Sequence, residues 1–193
     1  MTDKFHTITA DPPWPYDTRV NRTRALPAQL VADGSRLMRP VSDWTYEPMP
    51  LDDIKSIPVG EWAHKDAHLY LWTTNAFMAE AYEVVAAWGF TAKTIITWGK
   101  VKKDDPGTPS MKSGYYFRGA TEHAIFATRG VLPKPQVAIP TLYLHPRIAT
   151  HSSKPEAFYT DVVERVSPGP YLEMFARTER PGWVAWGDQV AAP

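Results

Sequence analysis

The chain has 193 residues, no cysteine and a formal net charge of zero, with 44% apolar and 22% charged residues. That length suggests a single domain over residues 1–193 with enough chain to bury a core, and the composition is that of an ordered globular protein. It excludes a disulfide framework and a thiolate metal centre, and it argues against tight nonspecific nucleic-acid binding while leaving room for a local basic groove. No apolar run nears the ~20 residues that span a bilayer, and the first residues, Met-Thr-Asp-Lys-Phe-His, lack a signal-peptide core, so no membrane contact and a cytoplasmic location are expected.

Residues 4–10 are β-prone and read as the first strand. Asp11-Pro12-Pro13-Trp14 follows; neither proline has an N–H to give, so this tetrapeptide is a rigid turn just past a strand end. Residues 15–48 read as one long irregular stretch, a length that is usually functional or disordered. Within 18–42, Arg19, Arg22, Arg24, Arg36 and Arg39 stand against Asp33 alone, which suits phosphate contacts or plain solvation. Residues 51–57 fit a short helix stopped by Pro58. Residues 67–73 form a near-continuous apolar run, as in a buried parallel strand.

Thr74 or Asn75 can cap the next helix, in which Phe77, Met78, Ala81, Tyr82, Val84, Val85 and Trp88 recur at helical spacing before Gly89 ends it. Residues 94–98 are a further strand. The middle thus reads strand, helix, strand, which implies a right-handed crossover and a mostly parallel sheet.

In a second loop, residues 100–118, Lys100, Lys102, Lys103, Lys112 and Arg118 face Asp104 and Asp105, and Tyr115, Tyr116 and Phe117 close it. Basic residues interleaved with aromatics suit flipped or single-stranded bases, or a loop packed down by its own rings. Residues 121–129 are a strand, and the proline-broken segment up to Pro146 is given no element. Ser152 or Ser153 caps a helix with Pro155 in its first turn and Phe158, Val162, Val163 and Val166 as its buried stripe, ended by Pro168-Gly169. Strands at 171–176 and 182–186 complete an α/β chain.

The Asp11 turn carries the chemistry. It offers a carboxylate acceptor, a carbonyl from Pro12 or Pro13 and the flat face of Trp14, the parts needed to hold an exocyclic amino group on a planar base. Such an amine is a poor nucleophile because its lone pair is delocalised into the ring. Two acceptors aimed at its two N–H bonds free that lone pair for in-line displacement on an activated methyl group, with no covalent enzyme intermediate. Other chemistries find no support. G-x-G-x-x-G is absent, Gly114 to Gly119 lacks the Lys-Ser/Thr of a phosphate-binding loop, and His64 and His68 lack the glutamate of H-E-x-x-H, so no catalytic metal is expected.

Four blocks in order, Asp11-Pro12-Pro13-Trp14, Gly114-Tyr115-Tyr116-Phe117-Arg118 with Glu122-His123, Ser153-Lys154-Pro155-Glu156, and Tyr171 to Arg177 with Gly182-Trp183 and Gly187-Asp188-Gln189, resemble the adenine-N6 methyltransferases that include the catalytic subunit of the eukaryotic messenger-RNA enzyme and bacterial and phage relatives. The resemblance implies a Rossmann-like methyltransferase fold, a mostly parallel sheet with helices on both faces and a circularly permuted motif order. It implies S-adenosylmethionine as cofactor, with Ala10 and Asp11 beside it, Lys154 on its carboxylate, Phe175 and Arg177 along the nucleoside, and Asp188 and Gln189 near the ribose and adenine. It places Trp14, Tyr16, Arg19, Arg22, Tyr115, Tyr116 and Glu122 toward the substrate. DNA is the expected substrate, by analogy with compact bacterial and phage members. RNA, or an inactive subunit that keeps the fold, is the alternative, and a homo- or heterodimer is compatible with the zero net charge. The resembling family has Phe-Gly-Arg where this chain has Phe175-Ala176-Arg177.

Overall fold

The computed structural model describes residues 4–16, 48–112, 116–148 and 153–187. Its elements are β1 (Phe5–Ala10), α1 (Leu51–Ser56), α2 (Val59–Trp62), β2 (Ala63–Thr73), α3 (Met78–Ala87), β3 (Thr91–Val101), β4 (Thr121–Arg129), β5 (Leu142–Pro146), a helix α4 over residues 156–166 with a π segment Tyr159–Val163, then β6 (Tyr171–Met174) and β7 (Trp183–Trp186). A 3-10 turn, Asn75–Phe77, leads into α3.

The strands form one seven-stranded sheet in the order β5-β3-β4-β2-β1-β6-β7. β1 is parallel to β2 on one side and to β6 on the other, β6 is parallel to β7, and β3 is parallel to β5. β4 runs antiparallel to both β2 and β3. The mostly parallel sheet is therefore as expected, and β2 and β3, which precede and follow α3 in the chain, run in the same direction as a crossover requires. β2 and β3 are not neighbours, because β4 turns back and fills the gap between them.

Side-chain alternation along each strand splits the core in two. Ile8, Leu69, Leu71, Ile125 and Leu172 face α1 and α3 in one cluster, which includes Ile54, Val84, Val85 and Trp88. Tyr70, Trp72, Ile96, Trp98 and Ala124 face α4 on the other side, against Phe158, Tyr159, Val162 and Val163. Helices thus cover both faces. The full side chains of Leu69, Leu71 and Ile125 leave water here, each worth about 1.5–3 kcal/mol relative to exposure.

Gly89 ends α3 as its position suggests. It has φ +80°, its N–H donates to Ala86 and that of Phe90 donates to Val85, while Phe90 and Val85 pack together in the core. This is a Schellman closure, which favours glycine because the left-handed conformation penalises a Cβ. The expected caps differ: Thr74 precedes the 3-10 turn and Pro155 precedes α4, neither with a side-chain cap bond, and Ser152 lies outside the described residues. α2 and β5 are additions to the sequence reading. No helix among the described residues is long and apolar enough to cross a membrane.

Candidate functional site

β1 ends at Ala10 in the middle of the sheet, and the Asp11 turn breaks away from it. The Trp14 N–H donates to the Pro12 carbonyl at 2.8 Å, and the Tyr16 N–H donates to the Trp14 carbonyl at 2.8 Å. These i→i+2 bonds are successive γ-turns centred on Pro13 and Pro15, whose rings hold φ close to the value such turns need. The Met49 N–H donates to the Pro13 carbonyl at 2.8 Å and ties down the far end. Trp14 is 3% exposed, donates its indole N–H to the Trp72 carbonyl at 3.0 Å, and stacks on Phe77 with ring centres 5.6 Å apart. Tyr16 meets Phe77 edge-on, and its hydroxyl lies 2.6 Å from Thr74 Oγ1.

Around this turn the strand ends converge. β2 brings Thr73 and Thr74, the end of β6 brings Phe175 to Arg177, and β4, because it runs the other way, brings its start with Glu122. The result is a cleft of about 860 Å³ along the carboxyl ends of the parallel strands. It opens where β1 has neighbours on both sides, the place where open α/β sheets bind ligands.

The floor of the cleft carries an alternating chain of charges on the α4 side of the sheet. Lys154, leading into α4, contacts Asp11 Oδ2 and lies 3.4 Å from Glu122 Oε2, while Lys100, near the end of β3, contacts Glu122 Oε1. Both lysine side chains are only 7% exposed. Each also lies against an indole, Lys100 Nζ 4.4 Å from the Trp98 ring centre and Lys154 Nζ 5.3 Å from that of Trp72. Burial lifts the proton affinity of Asp11, and Lys154 only partly offsets it. Burial pushes Glu122 the same way, but Lys154 and Lys100 outweigh it and hold the carboxyl below its usual range. Burial would lower Lys154, and Asp11 and Glu122 together reverse this. Lys100, with Glu122 as its carboxylate partner, stays depressed by burial.

The β6 end is shaped by backbone constraint. Phe175 has φ +59°, a left-handed conformation that costs a non-glycine residue on the order of 1–3 kcal/mol and clusters at functional sites. The bend sets its ring against Trp186, with centres 5.3 Å apart. Gly187 lies so close to Ala176 that a Cβ there would sit 2.6 Å from the Ala176 carbonyl oxygen, so a side chain would push the rim outward. Beneath the rim, Arg180 donates from Nε and Nη2 to the two oxygens of Glu156 at 2.8 and 2.7 Å, contacts Glu173 and lies 3.5 Å over the Tyr159 ring. This clasp binds the start of α4, two residues after Lys154, to β6.

The cleft therefore brings together Asp11, Pro12, Pro13, Trp14, Tyr16, Glu122, Lys154, Phe175 and Arg177. Ala10 is buried in the core beneath the turn, and Tyr116 is exposed outside the cleft lining. Arg19, Arg22, Tyr115, Asp188 and Gln189 lie outside the described residues, as does the whole arginine-rich loop 18–42. Arg147 and the Arg180 clasp are additions to the sequence reading, and Lys100, expected in the basic loop 100–118, instead lies in β3 and is buried. Lys100 hides in a basic run, yet it continues the alternating stripe Ile96-Trp98-Lys100, and that parity marks it as inward-facing.

A family model described as MT-A70 matches residues 5–189. Among curated relatives, the type II methyltransferase M.MunI of Mycoplasma sp is 25% identical over 195 residues, covering 97% of this chain and 78% of that protein. The N6-methyladenosine RNA methyltransferase MTA1 of Cryphonectria parasitica is 28% identical, covering 96% of this chain and 52% of its own length. The N(6)-adenosine-methyltransferase MT-A70-like protein of Drosophila melanogaster is 22% identical, covering 97% of this chain and 27% of its own length. The chain thus spans about half or less of the two eukaryotic relatives.

Proposed function

Because this chain belongs to the MT-A70 family of adenine-N6 methyltransferases, we propose that it binds S-adenosylmethionine in the cleft and methylates the N6 amino group of adenine in DNA. The observation that carries this reading is the meeting of the Asp11 turn, Glu122, Lys154 and the Phe175–Arg177 strand end in one cleft, from four separate stretches of chain.

The cofactor fits the groups present. Its amino-acid end carries an ammonium and a carboxylate, and the cleft offers Asp11 and Glu122 for the first and Lys154 and Arg177 for the second. A cleft of about 860 Å³ lies within the roughly 300–1,000 Å³ of small-molecule sites, toward the upper end. When bound, the cofactor supplies an electrophilic methyl group.

The protein's part is to present the amine. Asp11 Oδ2 is held by Lys154, which leaves Oδ1 to accept one N6–H bond. The Pro12 and Pro13 carbonyls each take one backbone N–H and retain a second lone pair for the other. Trp14 and Tyr16 wall the base in. Asp11, whose proton affinity burial raises, is placed to receive the proton that the nitrogen sheds. Phe175 and Arg177 line the cofactor side, Ala10 supports it through its backbone, and the family resemblance assigns Asp188 and Gln189 to the ribose and adenine. Arg19, Arg22, Tyr115 and Tyr116 serve the nucleic-acid strand.

DNA is preferred because M.MunI, by name a type II methyltransferase, is spanned to 78% of its length, against 52% and 27% for the other two relatives named above. RNA is the second reading, favoured by the likeness to MTA1, an RNA methyltransferase by name. An adenine in a duplex must be flipped out, at a cost of about a few kcal/mol. The deciding experiment is transfer of a labelled methyl group to matched DNA and RNA, each single- and double-stranded, with digestion to nucleosides. N6-methyladenine is expected from DNA. Product from RNA alone reverses the substrate assignment, and absence of transfer to all four substrates with cofactor binding lost overturns the enzymatic reading.

A further inference from the structure

Lys100 is a cation in an unusual place. It sits near the buried end of β3, with its N–H donating to the Ala120 carbonyl and its own carbonyl accepting from the Ser110 N–H, both at 2.7 Å. Its backbone is thus pinned on both sides, and the Trp98 ring supports its ammonium. A buried, fully held lysine is costly unless its charge has a partner. Its carboxylate contact is Glu122.

Glu122 divides its two oxygens, Oε1 to Lys100 and Oε2 toward Lys154. Lys154 divides its ammonium in turn between Glu122 and Asp11. The four groups alternate in sign, and what one end does is felt at the other. Without Lys100, Glu122 would face Lys154 alone and draw it away from Asp11. With Glu122 neutral, Lys154 would turn further toward Asp11.

We propose that Lys100 is a positioning residue: by holding one oxygen of Glu122 it keeps Lys154 shared between Glu122 and Asp11, and so sets the charge and aim of the Asp11 carboxylate. The link to catalysis rests on the methyl-transfer reading above; the coupling itself does not. Lys100 lines the same cleft but at the far end of the charge chain, and acts on Asp11 through two intervening side chains. Among the described residues, Arg177 bears on Asp11, Arg147 and Lys112 bear on Lys100, Tyr16 feels Asp11, Glu122 and Lys154, Tyr159 feels Asp11, and His123 feels Glu122.

The test is carboxyl-carbon NMR titration of Asp11 in the cofactor-free protein, assigned by comparison with Asp11→Asn. In Lys100→Met the Asp11 midpoint should rise by about one pH unit, equivalent to about 1.4 kcal/mol, and Lys100→Arg should restore most of it. In Glu122→Gln it should move the opposite way. The acid limb of the methyl-transfer pH profile should follow the same order, with kcat changed more than KM. A merely structural role would lower stability without producing shifts of opposite sign. If Lys100→Met proves unfolded, Lys100→Gln, which keeps a hydrogen-bond donor toward Glu122 but no charge, is titrated in its place and should raise the Asp11 midpoint likewise. An Asp11 midpoint that stays in place, or moves upward in Glu122→Gln, overturns the proposal. Loss of the methyl-transfer reading would leave these NMR shifts intact, so the two failures are distinguishable.

Discussion

Lys154 and Asp11 are 143 positions apart in the chain, yet the lysine ammonium is hydrogen-bonded to Oδ2 of the carboxylate in the floor of the cleft. The pair joins the turn after β1 to the approach of α4, two segments that no local pattern connects. Replacing Lys154 with methionine would leave Asp11 and Glu122 as facing carboxylates with one shared cation gone. Breaking a buried pair from one side costs about 3–5 kcal/mol, so denaturant unfolding should show a loss of that order. Calorimetry should show S-adenosylmethionine affinity reduced about tenfold or more, the worth of a charged hydrogen bond. Unchanged affinity would remove Lys154 from the cofactor site.

Asp11→Ala should behave differently. Burial raises the Asp11 pKa, so its contribution to stability is complete below the ordinary carboxylate range and is lost as pH rises through the folded value. Removing the carboxyl group should therefore cost the fold less than removing Lys154 does, as read by denaturant unfolding at neutral pH. Lys154 retains Glu122. Methyl transfer, in contrast, should fall by about 10²–10³-fold or more, the usual loss for a preorganised electrostatic group. Full activity in this variant would sink the role given to the turn.

Acid should weaken the fold through a residue far from the cleft. His68 is buried on β2 with Nδ1 2.7 Å from Ser167 Oγ, and burial lowers its pKa from 6.5 to about 4. Between those values the unfolded chain takes up a proton that the folded chain refuses, so stability rises with pH across the window and is lost as pH falls through it. One such group contributes a slope of up to about 1.4 kcal/mol per pH unit. Urea unfolding at several pH values should show it, and His68→Gln should flatten it. An equal slope in the variant would assign the acid sensitivity to other groups.

What the sequence made legible was local. The apolar run of β2 and the helical spacing of α3 up to Gly89 announce themselves because each is decided by neighbours within a few residues. β5 does not: Leu142 and Leu144 are exposed, a proline ends the strand, and it exists because residues 97–101 of β3 pair with it. The same applies to β4, since a hairpin partner of β3 can lie on either side and only the completed sheet shows it wedged against β2. In the site, the Asp11 turn was readable from its prolines. The burial of its Trp14 face was not, because Phe77 and the Trp72 carbonyl that cover it come from 58 or more residues away.

The two-sided pairing of β1 also sets an order of events. Its register with β2 joins residues about 60 apart, whereas its register with β6 joins Ala10 to Met174. Contacts of such sequence separation are slow to form. During synthesis at roughly 5–20 residues per second, about 5–20 s separate the emergence of β2 from that of β6. Through that interval β1 has one edge open, and neither Lys154 nor the Phe175 bend has reached the Asp11 turn. The cleft thus takes shape only once the late strands of the sheet have arrived.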